Sequence, residues 1–284
     1  MKRVLVTGSS GYIGRHLLKV LTDYNTVGLD RIFKPQLADK FINQDILENK
    51  LVEGEYDTVV HLAALVNVGD SMKNPMRYYD TNVTGTLRML EHTDFKHFIF
   101  ASTGAAVNPT SPYALSKRQT EDMVYQYCQL NGKDCTIFRF YNVIGSDGVS
   151  PTNPDGLFYN LMRAKDRGEF TVYGNTYNTP DGTAIRDYVH VNEICNSIKL
   201  AIDCPANSLQ NLGNTAIYGS GDKSTITGNS ITGTTYVNSS YQGDGIFLNP
   251  TGVSTSNSAQ IVGNYLKDID GGGIVVSSQA QRRL

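Results

Sequence analysis

The 284-residue sequence predicts an α/β protein: a doubly wound parallel sheet followed by a short β-rich segment. Three observations predict it. First, the apolar run Val4-Leu5-Val6-Thr7 ends in a glycine turn, Gly8-Ser9-Ser10-Gly11-Tyr12-Ile13-Gly14, which opens a segment of helical period. Second, short apolar strands and helical segments alternate through 1–212, the pattern of a parallel sheet covered on both faces. Third, helical periodicity then stops. Twelve of the 27 glycines lie in 213–284 among crowded Ser, Thr and Asn, so a domain boundary is placed at 212.

Each element follows in order. The first strand delivers the glycine turn, where Gly8 permits the sharp bend, Gly11 a close approach of phosphate to backbone, and Gly14 close packing of the helix Tyr12–Leu21 on the sheet. The free N–H groups and positive dipole end of that helix suit a pyrophosphate. A second strand, 26–29, ends in Asp30, about 20 residues past the turn, where an acid hydrogen-bonds the ribose of NAD and repels the extra phosphate of NADP. This is a Rossmann-like arrangement with NAD as its cofactor. A third strand, 40–43, leads to Asp45-Ile46, which suits either the adenine or a helix N-cap. The buried strand 58–62 runs into Ala63-Ala64, small enough for a ligand to approach the backbone. A helix over 76–93 carries Asn82 in its interior, unfavourable unless something binds it.

The fifth strand, 97–101, ends at Ser102-Thr103, and a helix runs from Tyr113 to about Asn131. Tyr113 and Lys117 are one turn apart on one face. A phenol has a pKa near 10 and is a poor base at neutral pH, but a neighbouring ammonium favours its phenolate. A sixth strand, 136–142, is followed by a helix over 157–167, short strands at 171–174 and 186–190, a helix over 191–202 and a last strand at 209–212. The elements about 143–190 are expected to form the substrate lobe.

Composition excludes several classes. With 25 basic and 27 acidic residues the net charge is −2, which argues against a nucleic-acid surface. No apolar stretch approaches the roughly 20 residues of a membrane span. No signal peptide is recognisable and the four cysteines lack metal-ligand spacing, so free thiols, no metal and a cytoplasmic setting are expected.

Several runs together carry a resemblance: the glycine turn, His61-Leu62-Ala63-Ala64, Tyr78 to Thr86, the Tyr113/Lys117 pair, Arg139-Phe140-Tyr141-Asn142, Tyr173-Gly174 and Pro180 to Val191. They resemble the extended short-chain dehydrogenase/reductase family over about 1–213, in particular its nucleotide-sugar epimerases. The resemblance implies NAD held by Gly8, Gly11, Tyr12, Ile13, Gly14, Asp30, Asp45, Ile46, Leu62, Ala63, Ala64, Asn82, Ser102, Tyr113, Lys117 and Phe140. It implies catalysis by Tyr113 as base, tuned by Lys117, with Thr103 on the same sugar oxygen. Asn142 and Arg186 would hold the nucleotide diphosphate, and Thr171, Val172 and Tyr173 the uracil. The implied reaction interconverts UDP-glucose and UDP-galactose through a 4-keto intermediate, in a homodimer joined through the helices at 76–93 and 113–131. Dehydratases of this superfamily carry an acid just after the Ser/Thr; here Gly104-Ala105-Ala106 follow, which favours epimerisation.

The sequence departs from the family in four places. Tyr113 follows Thr103 at a shorter spacing, Val66 replaces a lysine, Gly156-Leu157 replaces an Asn-Leu pair, and the last elements of the substrate lobe do not follow residue 213. Instead Ile226-Thr227-Gly228-Asn229 and Gly243-Asp244-Gly245-Ile246 return as Ile261-Val262-Gly263-Asn264 and Gly271-Gly272-Gly273-Ile274. That repeat resembles parallel β-helix proteins and is expected to stack as short coils. The sequence therefore supports two readings: an epimerase with an incomplete substrate lobe, or a catalytically impaired epimerase-like domain fused to a β-helix assembly or carbohydrate-binding segment.

Overall fold

The computed structural model describes residues 1–33, 38–50, 52–146, 156–172 and 174–203, together with the backbone of eight strands between 208 and 276. The chain forms two compact units, Met1–Asp203 and Cys204–Leu284.

In the first unit, β1 (Arg3–Thr7), α1 (Tyr12–Val20), β2 (Asn25–Asp30), β3 (Lys40–Asn43) and β4 (Val52–His61) are followed by α2 (Val68–Lys73) and α3 (Pro75–Tyr79). A π-helical turn (Asp80–Thr84) leads into α4 (Gly85–His92), β5 (Thr93–Thr103), a 3₁₀ turn (Gly104–Ala106) and α5 (Pro112–Leu130). Then come β6 (Asp134–Phe140), β7 (Asn142–Ile144), α6 (Leu157–Arg167), β8 (Tyr188–His190) and α7 (Val191–Asp203). Six strands form one parallel sheet in the order β3-β2-β1-β4-β5-β6.

The strands alternate their side chains between two cores, as the period of 2 demands. Leu5, Leu29, Val59, Phe98 and Phe100 pack with Met89 and Leu90 of α4 and Val124 and Cys128 of α5. Val4, Val6, Val60 and Ile99 pack with Leu17, Leu18 and Leu21 of α1 and Ile194, Cys195, Ile198 and Ile202 of α7. Both faces are therefore covered, and the order in which strands are added reverses between β1 and β4, the switch point of the sheet. A crevice opens there at the carboxyl ends of the strands, where ligands bind in such sheets.

Two predicted elements differ. The helix over 76–93 is divided by the π turn. There the Asn82 carbonyl accepts from the hydroxyls of Thr86 (2.7 Å) and Thr120 (3.1 Å), and these side-chain bonds favour a widened turn. No strand forms at 171–172 or at 174; Val172 is exposed there, and β8 instead pairs in parallel with β7.

In the second unit β9 (Ser208–Gln210), β10 (Ile217–Ser220), β11 (Thr225–Thr227), β12 (Ser230–Thr234), β13 (Ile246–Asn249), β14 (Gln260–Val262), β15 (Tyr265–Ile269) and β16 (Ile274–Val276) follow. Every described pairing is parallel and joins a strand to the one three places on: β9-β12-β15, β10-β13-β16 and β11-β14. The strand expected at 209–212 thus pairs within this unit, not with the six-stranded sheet. No described helix is long and apolar enough to cross a membrane.

Candidate active site

The crevice has a volume of about 1590 Å³ and lies wholly within the first unit. Of the sequence-predicted site residues, all but two line it. Tyr173 lies outside the described residues. Asn82 stands behind the wall: its amide donates to Leu65 O and accepts from Leu65 N, and also reaches Ser116 Oγ.

The glycine turn is shaped by backbone contact. Gly8 has φ +68°, and a Cβ there would meet Ala63 N at 2.8 Å, so β1 and β4 can converge only over a bare Cα. Gly14 has a different role from the one expected. Its missing Cβ would strike Gly8 O at 2.4 Å, so it lets the turn fold back over the first turn of α1, not the helix onto the sheet. No side chain caps α1 and no acid lies in its first turn, which leaves its N-terminal N–H groups to an anion. Asp30 accepts from Ser10 N (3.0 Å) and Ile32 N (3.0 Å), fixing its carboxylate beside the turn. Asp45 begins a tight turn, not a helix: it accepts from Leu47 N and its own N–H donates to Glu48. Ile46 packs toward Gly85.

At the far side of the switch, Ser111 caps α5 by accepting from Ala114 N, with Pro112 in the first turn. That start fixes the helical phase, so Tyr113 and Lys117 both reach the crevice. Tyr113 stands edge-on to Tyr78 and shares the crevice with Thr103. Burial pushes the Tyr113 phenol up and the Thr103 side chain pulls it down. Lys117 is buried as well: burial takes its amine down to about 7, against an upward push from Glu121. Its Nζ lies 4.1 Å from the centroid of Phe100. Ser102 does not face the crevice alone: its hydroxyl donates to buried Glu121.

The opposite wall carries Asn142, Thr171, Val172 and Arg186. Asn142 donates to Asp187 O at 2.9 Å, tying β7 to β8. Tyr12 hydrogen-bonds Gly145 O, linking α1 to the loop after β7, and burial raises its pKa to about 12. Arg163 of α6 also lines this wall and was not anticipated; its only sequence signal is its i,i+4 spacing from Tyr159, whose hydroxyl it meets at 3.3 Å. Glu121 was likewise missed. No cluster of potential metal ligands occurs among the described residues.

Residues 4–213 match the model of the NAD dependent epimerase/dehydratase family. The chain belongs to that family. A UDP-glucose 4-epimerase of Halalkalibacterium halodurans is 32% identical, covering 70% of this chain and 70% of the relative. Among solved structures, a UDP-glucose 4-epimerase from Brucella ovis in complex with NAD has a TM-score of 0.64 at 29% identity, covering 72% of this chain and 73% of that one. A UDP-N-acetylglucosamine 4-epimerase from Methanobrevibacter ruminantium has a TM-score of 0.58 at 26% identity, covering 71% and 73%.

The cofactor of this NAD dependent epimerase/dehydratase family member is NAD, and its residues fit that group. The uncapped helix end suits the pyrophosphate, and the fixed Asp30 carboxylate, at the end of β2, suits a ribose diol but not a 2′-phosphate.

Proposed function

We propose that this chain is an NAD-dependent UDP-sugar 4-epimerase that interconverts UDP-glucose and UDP-galactose. The observation that carries the reading is the convergence of Tyr113, Lys117 and Thr103 on the crevice that also holds the glycine turn and Arg186. The carboxylates among the described lining residues are Asp30 and Asp45, both at the β2–β3 end. None stands beside Tyr113 to eliminate water, which favours epimerisation over dehydration.

Gly8, Gly11, Tyr12, Ile13 and Gly14 would hold the NAD pyrophosphate and Asp30 a ribose. Asp45, Ile46, Leu62, Ala63, Ala64, Ser102 and Phe140 would line its bed, with Asn82 supporting it from behind. When bound, NAD supplies the hydride acceptor and donor for the sugar C4. Tyr113 would take the proton of the 4-hydroxyl and give it back to the same oxygen once hydride has returned to the opposite face of C4. Thr103 hydrogen-bonds the same oxygen, and Lys117, charged, favours the phenolate. Asn142 and Arg186 would grip the diphosphate and Thr171, Val172 and Tyr173 the uracil while the keto sugar turns over. A homodimer through α4 and α5 and a cytoplasmic setting accompany this reading.

One observation favours the second reading, an impaired domain serving assembly: no residue of α6 is buried, so this wall of the substrate lobe is bare. The three-strand recurrence in 208–276 supports a stacked parallel β-helix in the second unit. Incubation of purified protein with NAD and UDP-galactose decides. UDP-glucose should form, and Tyr113→Phe should abolish it while keeping NAD. Absence of product in protein that binds NAD would favour the assembly reading.

A further inference from the structure

Glu121 follows Lys117 by one helical turn, as Lys117 follows Tyr113, so the three lie along one face of α5. It is only 4% exposed. Arg139 of β6 grips it with Nε at 2.9 Å and Nη2 at 2.6 Å, and Ser102 of β5 donates to the same carboxylate. Burying a carboxylate costs several kcal/mol, and Arg139, whose side chain is 39% exposed, does not itself require a buried partner. Packing alone therefore gives no reason for a charge here.

The groups around Lys117 give one. On its own helix are Tyr113 and Glu121. His61 of β4 is buried and neutral, Phe100 and Ser102 of β5 carry no charge, and Arg139 acts through its bond to Glu121. Burial works against the Lys117 charge, and Glu121 is the carboxylate that opposes it. On isolated helices a Lys preceding a Glu at i,i+4 is the weaker order. Here Glu121 is held by a side chain from β6 and another from β5, so the position of its carboxylate is set by the fold and not by the helix alone.

We propose that Glu121, clamped by Arg139 and Ser102, is a positioning residue whose charge keeps the Lys117 amine protonated beside Tyr113. The inference rests on the epimerase reading for its purpose, but not for its test.

The test reads the ionisation of Lys117 directly. Protein with ¹³C-labelled lysine is titrated without added NAD, and the Lys117 resonance is assigned by its loss in Lys117→Met. In Glu121→Gln the Lys117 midpoint should fall by about one pH unit, the lower end of the effect of a nearby opposite charge. Glu121→Asp should restore part of the shift. The alkaline limb of kcat should move down with the midpoint. The double variant E121Q/R139Q also removes the guanidinium that Glu121 would leave without its partner, carries the same expectation and reads out where the single variant is unstable. An unmoved midpoint in a folded variant of either kind overturns the proposal. A fallen Lys117 midpoint in the Glu121 variants, with a wild type that turns over no UDP-sugar, would refute the epimerase reading and leave this one standing.

Discussion

The side-chain amide of Asn82 grips both backbone groups of Leu65: its Oδ1 accepts from Leu65 N at 2.8 Å and its Nδ2 donates to Leu65 O at 3.0 Å. This fixes the strand-to-helix loop on the β4 side of the crevice, where Leu65 follows Ala63 and Ala64. Asn82→Ala should cost about 2 kcal/mol in urea unfolding, the sum of two such hydrogen bonds. It should also weaken NAD binding several-fold. Fluorescence titration with NAD checks the second effect, and unchanged affinity would show that the loop holds its place without Asn82.

Gly8→Ala tests the convergence of β1 and β4. The left-handed backbone costs a β-carbon about 1–2 kcal/mol, before its contact with Ala63 N is counted. The expected result is a loss of at least about 2 kcal/mol in stability, with NAD binding lost at any practical concentration. Gly132→Ala is the comparison: φ is +61° there but nothing lies within 4 Å, so only the backbone cost should appear and NAD binding should persist.

How these residues act was legible in the sequence only where the signal is local. Strand, glycine turn and helix are contiguous, so hydrophobic period and turn chemistry place them together. Tyr113 and Lys117 share a face because helical geometry requires it. Glu121 was invisible because its meaning comes from Arg139, on a strand whose neighbour in the sheet had to be known first. The π turn depends on Thr120, from another helix, binding the Asn82 carbonyl. The strand expected around 171–174 rested on apolar residues alone. Phe170 and Val172 remain exposed, so that run packs on no sheet. Position Gly14 was rightly read as a close contact, but its partner was the turn's own backbone.

Arg186 offers a guanidinium on the crevice wall, and its Nη1 donates only to the adjacent Ile185 carbonyl among its described bonds. Charge-assisted bonds to a phosphate contribute about 1.5–3 kcal/mol. If it binds the diphosphate in ground and transition states alike, Arg186→Ala should raise KM for the UDP-sugar roughly ten- to hundredfold and leave kcat nearly unchanged. Steady-state kinetics separate the two. A fall in kcat at constant KM would instead place Arg186 in the chemical step.

His61 is expected to make the fold acid-sensitive. It is buried between two hydroxyls: Nδ1 meets Thr7 Oγ1 at 2.9 Å and Nε2 meets Thr86 Oγ1 at 3.0 Å. Thr86 donates onward to Asn82 O, so its oxygen accepts from His61; Nε2 thus carries the hydrogen and Nδ1 accepts from Thr7. The Thr7 oxygen in turn accepts from Ala63 N, and one directed chain joins β1, β4, α4 and the π turn. A second ring proton would reverse the Thr7 bond, and burial accordingly takes His61 down to about 3. The unfolded chain binds that proton near pH 6.5, so between about 6.5 and 3 it holds more protons than the native state. Stability should therefore fall as pH drops through this window, by somewhat over 1 kcal/mol per unit from this group alone. His97, which burial also lowers, contributes in the same direction, so the comparison is with His61→Gln. That variant should be less stable at pH 7, and its loss on acidification to pH 4 should be shallower than wild type. Parallel curves from urea unfolding across this range would show that His61 does not carry the acid sensitivity.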